Sequence, residues 1–128
     1  MQWVNPDSIA PPFSAYSQGV LTDGPQRWLH VSGQVGIRPD GTLEQGFAAQ
    51  AERALANVLA ILAEAGMGKD DIVKLDVFLT RPSDLKAWRA IRDRTLDGHL
   101  AASTLLIVAG LAGPDWLLEV QAVAATRA

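Results

Sequence analysis

One carboxylate interrupts an otherwise apolar C-terminal segment and is the strongest candidate for acid–base chemistry. Glu119 lies within Leu117–Ala125, where an ionised carboxylate needs partners and could orient a water molecule or act as a general base. The alternative is an edge-strand carboxylate at the rim of a subunit contact. Tyr16, the only tyrosine, carries a phenol that could hydrogen-bond a ligand or pack with its hydroxyl satisfied by a neighbour.

Other reactive side chains lack the spacing of known catalytic motifs. Ser32 and Thr104 offer hydroxyl donors for a bound carboxylate, but no Gly-x-Ser-x-Gly sequence supports a serine hydrolase. His30 and His99 are the only histidines and lie far apart, and cysteine is absent, so no metal site is expected. The segment 33–36 lacks the Gly-Lys-Ser/Thr ending of a phosphate loop, so we expect no nucleotide and no other cofactor.

Two strands and a helix are predicted in the first half of the chain. Tyr16–Leu21 and Trp28–Ser32 flank a turn-forming cluster at 22–26, which favours a β-hairpin. Apolar residues then recur every three or four positions from Phe47 to Ala65, which predicts an amphipathic helix that ends at Gly66.

The second half predicts a strand, a helix and two further strands. Alternation over Ile72–Leu79 is typical of a half-buried strand. A second helix is expected to begin with Ser83 as its N-cap and to end near Gly98. Thr104–Leu111 is almost wholly apolar, which predicts a strand covered on both faces, and Leu117–Ala125 predicts the last strand.

The resulting order, ββαβαββ, predicts one α+β domain over residues 1–128. Strands separated by helices favour two layers, with a mixed sheet and both helices on one face. Apolar residues on the uncovered face would form a patch that monomers rarely expose, so a closed oligomer is expected.

Composition is typical of an ordinary globular chain. Hydrophobic residues make up 48% and charged residues 20%, and the formal net charge is −3, which disfavours a nucleic-acid partner. No uncharged apolar run reaches the roughly 18 residues of a membrane span, and the first residues are polar and proline-broken. We therefore expect no membrane association and a cytoplasmic location.

Several spaced motifs, in order, resemble the RidA/YjgF family of reactive-intermediate deaminases. The resemblance covers nearly the whole chain and rests on four stretches: Phe13–Gly19, Val31–Gly36, Gln50–Val58 and Leu117–Ala122. It implies a chorismate-mutase-like fold that forms a homotrimer, with a small-molecule cleft at each subunit interface.

This chain differs from the family at the residue that holds the substrate. In active members an arginine within Pro-Ala-Arg-Ser/Thr grips the substrate carboxylate, for which a planar bidentate donor is well suited. The matching stretch here is Ala101-Ala102-Ser103-Thr104. Counted back from Leu111, the arginine position falls on Ser103, or on Ala102 after a slip of one residue, and neither is cationic.

The other site residues of the family are matched in part. The resemblance implies catalytic roles for Tyr16 and for Glu119, which would position the attacking water. It implies ligand binding by Ser32 and Gly33, whose backbone groups would face the ligand, and by Ser103 and Thr104. An asparagine that the family often carries on its second helix is replaced near Arg89.

A cation from elsewhere could restore anion binding. Arg89 or Arg92 could supply it from the second helix, and His99 could act as a weak cation or proton relay. The sequence favours the alternative that both arginines are solvated on the helix surface and that the histidine lies in water. We therefore predict a protein that binds a small imine, enamine or carboxylate and is not an efficient 2-aminoacrylate deaminase. The alternative is a variant deaminase or hydrolase of another small substrate.

Overall fold

The chain folds into a four-stranded mixed sheet with two helices on one face. A computed structural model describes all 128 residues, Met1 to Ala128. The strands are β1 (Gln2–Val4), β2 (Gly19–Leu21), β3 (Gln26–Gln34), β4 (Ile72–Leu79), β5 (Ala102–Ile107) and β6 (Leu118–Arg127), and the helices are α1 (Phe47–Glu64) and α2 (Leu85–Leu96). The main sheet has the order β3-β6-β4-β5, in which β4 and β5 are parallel and the other pairs antiparallel.

One hydrophobic core joins the helices to the sheet. Alternate residues of β4, including Leu75 and Val77, are buried beneath the helices together with Leu55 of α1 and Trp88 of α2. This arrangement confirms the predicted α+β class. Gly66, with φ of +72°, adopts the left-handed conformation just beyond α1, which agrees with its predicted role in ending that helix.

The predicted N-terminal hairpin is wrong. β2 pairs with β1, a strand the sequence analysis did not predict, whereas β3 pairs with β6. The physical reason is length and burial. The ten-residue β6 pairs with most of the nine-residue β3, and Val31 of β3 is buried in the core. β2 has only three residues with which β3 could pair.

Two further expectations need correction. β5 is shorter than the predicted Thr104–Leu111 and lies at the sheet edge. Leu106 is 49% exposed, so the strand is not covered on both faces. Ser83 is not the N-cap of α2. It lies in a 3-10 turn, and Asp84 precedes the helix, with its carboxylate accepting hydrogen bonds of 2.7 and 3.1 Å from Arg81.

The face of the sheet opposite the helices is uncovered in the single chain. This open sheet face mixes apolar and polar side chains: Trp28, His30, Ser32, Lys74, Asp76, Phe78, Thr104, Leu106, Glu119, Gln121 and Val123. Neither helix is long and apolar enough to cross a bilayer. The cytoplasmic location stays a prediction.

Candidate ligand cavity

A cavity of about 220 Å³ lies where α2, the first residues of β5 and an N-terminal loop meet. We call it the α2 cavity. Its lining includes two arginines, three residues with a hydroxyl and no acidic residue, and is formed by Phe13, Ser14, Tyr16, Leu85, Arg89, Arg92, Ser103 and Leu105. At ~30 Å³ per water this is room for about seven waters, which is the size of a small metabolite.

Hydrogen bonds from Ser17 fix the N-terminal loop against the start of β5. The Ser17 N–H donates to the Ala101 carbonyl at 3.2 Å, and its buried hydroxyl donates to the Leu100 carbonyl at 2.6 Å. Tyr16 is thereby held beside Ser103, although it lies in a loop and not in the strand predicted to begin there. Its hydroxyl accepts a hydrogen bond of 3.3 Å from the Phe13 N–H.

Helix α2 contributes both arginines to the cavity wall. Arg92 is only 5% exposed, so the expectation that it is a solvated surface residue is wrong. It follows the buried Trp88 by four residues, a spacing that places both on the inward side of the helix. Arg89 is half-buried, lines the same cavity and makes no salt bridge.

A second group of predicted residues lies on β3 and β6. The half-buried Glu119 side chain lies over Gly33, where β3 carries an irregularity between Val31 and Gln34. A Cβ atom built on Gly33 would lie 2.7 Å from Glu119 Cδ and 3.0 Å from Cγ. The absence of a side chain at Gly33 therefore leaves room for the Glu119 carboxylate in its present position, and no positive φ favours glycine there.

Ser32 and Thr104 lie on the open sheet face and not in the α2 cavity. Ser32 lines a hollow of about 250 Å³ with Asp76 and Gln121. The Thr104 hydroxyl accepts a hydrogen bond of 2.8 Å from Lys74 Nζ. The chain therefore separates residues to which the sequence analysis gave one site.

The two groups are too far apart to contact one ligand within a single subunit. Glu119 on β6 is separated from Ser103 on β5 by the intervening strand β4, and two strand spacings amount to about 10 Å. Leu75, the β4 partner of Ser103, is buried in the helix-side core, whereas Phe78, the β4 partner of Glu119, belongs to the open sheet face. We call Tyr16, Ser103 and the two arginines one candidate half-site, and Gly33 and Glu119 the other.

His99 is not a loop histidine in water. It is 8% exposed, its Nε2 lies 2.7 Å from the Ile72 carbonyl, and the Trp3 ring meets it edge-on at 5.1 Å. It lines a neighbouring hollow of about 200 Å³, whose wall also contains Arg92, and is absent from the α2 cavity. The histidine is buried because the N-terminal strand β1, which the sequence analysis missed, covers it.

The carboxyl groups whose pKa values are clearly shifted lie outside both half-sites. A hydrogen bond from Arg38 lowers the pKa of Glu44 in the loop before α1, and hydrogen bonds from Thr42 lower the pKa of Asp40 nearby. A hydrogen bond from Lys69 lowers the pKa of Asp70. These groups support loops and do not point to acid–base chemistry in the α2 cavity.

Two residues of the cavity wall, Leu85 and Ser14, were not predicted as site residues from the sequence. Leu85 precedes Arg89 by four residues, so helical periodicity could have placed it on the same side of α2. Ser14 carried no comparable signal, because its position depends on how the N-terminal loop docks on β5.

Comparison with known proteins places this chain in one family. The profile of the family described as Endoribonuclease L-PSP matches residues 7–126. A crystal structure from Yersinia pestis, titled YyfB of the conserved Rid protein family and of unknown function, superimposes with a TM-score of 0.86 at 32% identity, covering 98% of each chain. The chain therefore belongs to the RidA/YjgF family.

Two further relatives carry chemical information in their names. The rat 2-iminobutanoate/2-iminopropanoate deaminase is 35% identical over 112 residues, which is 86% of this chain and 79% of the relative. The crystal structure of E. coli TdcF with bound serine has a TM-score of 0.72 at 30% identity and covers 95% of this chain and 93% of the other. The family thus includes an imine deaminase and a protein with a bound amino acid.

Proposed function

We propose that this protein binds a small imine, enamine or carboxylate in clefts between the subunits of a homotrimer and is not an efficient 2-aminoacrylate deaminase. The observation that carries the proposal is Ser103. The resemblance to active deaminases gives this position to the carboxylate-binding arginine, and in this chain it is a serine that lines the α2 cavity. Loss of a buried bidentate contact costs several kcal/mol, enough to slow turnover by a hundredfold or more.

The separation of the two half-sites supports a shared cleft. Tyr16 and Ser103 of one subunit would face Gly33 and Glu119 of the next, so that one ligand contacts both groups. Phe13, at the cavity wall, is 85% exposed in the single chain, and burial of this side chain against a neighbouring subunit would stabilise the trimer.

The oligomeric state is tested by light scattering. Three chains of 13.7 kDa give a trimer of about 41 kDa. A mass of one chain at micromolar concentration would contradict the shared cleft.

The deaminase or hydrolase alternative is favoured by one observation. The half-buried Glu119 carboxylate makes no salt bridge, so its oxygens are free to accept a hydrogen bond from an attacking water. Glu119→Gln keeps the size of the side chain and removes the base. If the protein hydrolyses its ligand through Glu119, this variant loses turnover and keeps binding.

Restoring the cation tests the main proposal. Ser103→Arg is expected to raise ammonia release from 2-aminoacrylate at least tenfold, because it returns a guanidinium to the strand that faces the ligand. Ser103→Gln is the matched control, since it lengthens the side chain without a charge and is expected to show no gain. A folded Ser103→Arg trimer with unchanged activity would show that the missing arginine does not limit turnover.

A further inference from the structure

The α2 cavity contains a buried cation with an incomplete hydrogen-bond shell. Arg92 Nε donates to Asp93 Oδ1 at 2.9 Å. Nη2 lies 2.9 Å from the same oxygen, but its N–H groups are not directed at it, and this atom is buried with no hydrogen-bond partner. A buried charged donor without an acceptor is costly, so such groups in native proteins call for an explanation.

A second cation lies beside it. Arg89 precedes Arg92 by three residues on α2, which places their Cβ atoms about 5–6 Å apart, and both line the cavity. Asp93, the one carboxylate that pairs with Arg92, has a side chain that is 50% exposed, so it compensates the buried charge incompletely. Because Arg92 lines the cavity, an anion inside it would reduce the repulsion between the two guanidinium groups, and a small rotation of the Arg92 side chain would let Nη2 donate to that anion.

We propose that Arg92, assisted by Arg89, binds the carboxylate of a small ligand in the α2 cavity. The inference rests on the proposed function. It specifies that the ligand is a small carboxylic acid and how that ligand is oriented in the cavity. The acid group is held from the helix, with the hydroxyls of Ser103 and Tyr16 on the same wall as additional donors. Arg92 is thus a ligand-binding residue that compensates in binding for the neutral Ser103.

The test compares a small acid with its neutral amide. Pyruvate carries a carboxylate, and pyruvamide has the same carbon skeleton without the charge. Both are titrated into the ¹⁵N-labelled full-length protein while amide resonances are followed at Ser103 and at Gly33. We expect pyruvate to bind more tightly than pyruvamide and to shift Ser103.

Substitutions identify the cation responsible. Arg92→Gln is expected to weaken pyruvate binding about 10- to 100-fold, the range for loss of a hydrogen bond to a charged group, and to leave pyruvamide binding unchanged. Arg92→Lys retains part of the affinity, and Arg89→Gln costs roughly three- to tenfold. Arg94→Gln removes the same charge from the same helix, where the side chain is 65% exposed, and is expected to have no effect.

Each result decides between the claims. If Arg92→Gln binds pyruvate within twofold of the natural chain while Gly33 shifts, the inference is wrong and the proposed function stands. If neither compound shifts any resonance, the inference is wrong, and so is the part of the proposed function that includes carboxylates. If Arg92→Gln does not fold, Arg92→Lys and Arg89→Gln decide, and affinities equal to those of the natural chain would overturn the inference.

Discussion

Gly33→Ala tests whether the glycine exists to admit the Glu119 carboxylate. The added Cβ would lie 2.7 Å from Glu119 Cδ and 3.0 Å from Cγ, well inside the 3.5–4.0 Å of a favourable carbon contact. These atoms belong to the outer part of a flexible side chain, so we expect the carboxylate to rotate away while the sheet stays in place. A strained rotamer costs about 0.5–1.5 kcal/mol, and the stiffer unfolded chain offsets about 0.4–1 kcal/mol of that. The expected change in the free energy of unfolding is therefore within about 1 kcal/mol.

Gly36→Ala is the contrasting case. A Cβ on Gly36 would lie 2.6 Å from Gln50 Cα, a backbone atom of α1 that cannot rotate aside. Overpacking of this kind costs about 3 kcal/mol. Gly68→Ala is the matched control, because its φ of −136° suits any residue and no atom lies within 4 Å of the added Cβ. Its effect should stay within about 0.5 kcal/mol.

Urea denaturation measures the three stabilities, and the carboxyl ¹³C resonance of Glu119 reports its displacement. The expected order of destabilisation is Gly36→Ala, then Gly33→Ala, then Gly68→Ala, with the Glu119 resonance shifted by the Gly33 substitution alone. An unshifted Glu119 resonance in Gly33→Ala, or a loss of stability equal to that of Gly36→Ala, would refute the reasoning.

Two further predictions concern the supports of the fold. The buried Gln50 amide donates to the Glu44 and Asp115 carbonyls, both at 3.2 Å, and accepts the Leu117 N–H at 2.9 Å, so Gln50→Ala should lower the free energy of unfolding in urea by about 2–4 kcal/mol. The exposed Gln45→Ala should change it by less than about 0.5 kcal/mol, and equal effects would contradict the assignment. Arg38 lowers the pKa of Glu44 below its ordinary value of 4.5, so ionised Glu44 stabilises the fold above that value, and this stabilisation is lost as the pH falls through the lowered pKa. Stability measured from about pH 6 to pH 3 should therefore fall less steeply in Glu44→Gln, and parallel curves would contradict the role of this ion pair.

The sequence predicted the elements whose pattern is local and strong. The apolar period from Phe47 onward and the alternation over Ile72–Leu79 located α1 and β4, because each pattern is set by burial of one face. The pairing of the strands was harder to predict from the sequence. β1 is three residues long, too short to show alternation, and its pairing with β2 depends on where the rest of the chain places both.

The candidate site was only partly predictable for a related reason. The spacing of Arg92 from Trp88 put it on the inward side of α2, but its charge favoured solvent, and charge was the wrong guide because Asp93 and the cavity wall surround it. The family resemblance proposed Tyr16, Ser103, Gly33 and Glu119 as site residues. It did not show that one subunit divides them between two half-sites, since that depends on strand order and on which face of the sheet each side chain occupies.

The most direct test of the central claim is ammonia release from 2-aminoacrylate, generated in the assay by a serine dehydratase. The protein is compared at equal subunit concentration with the rat 2-iminobutanoate/2-iminopropanoate deaminase. Because position 103 is a serine and not an arginine, we predict a kcat/KM at least about a hundredfold lower than that of the relative. A value within tenfold of the relative would contradict the account.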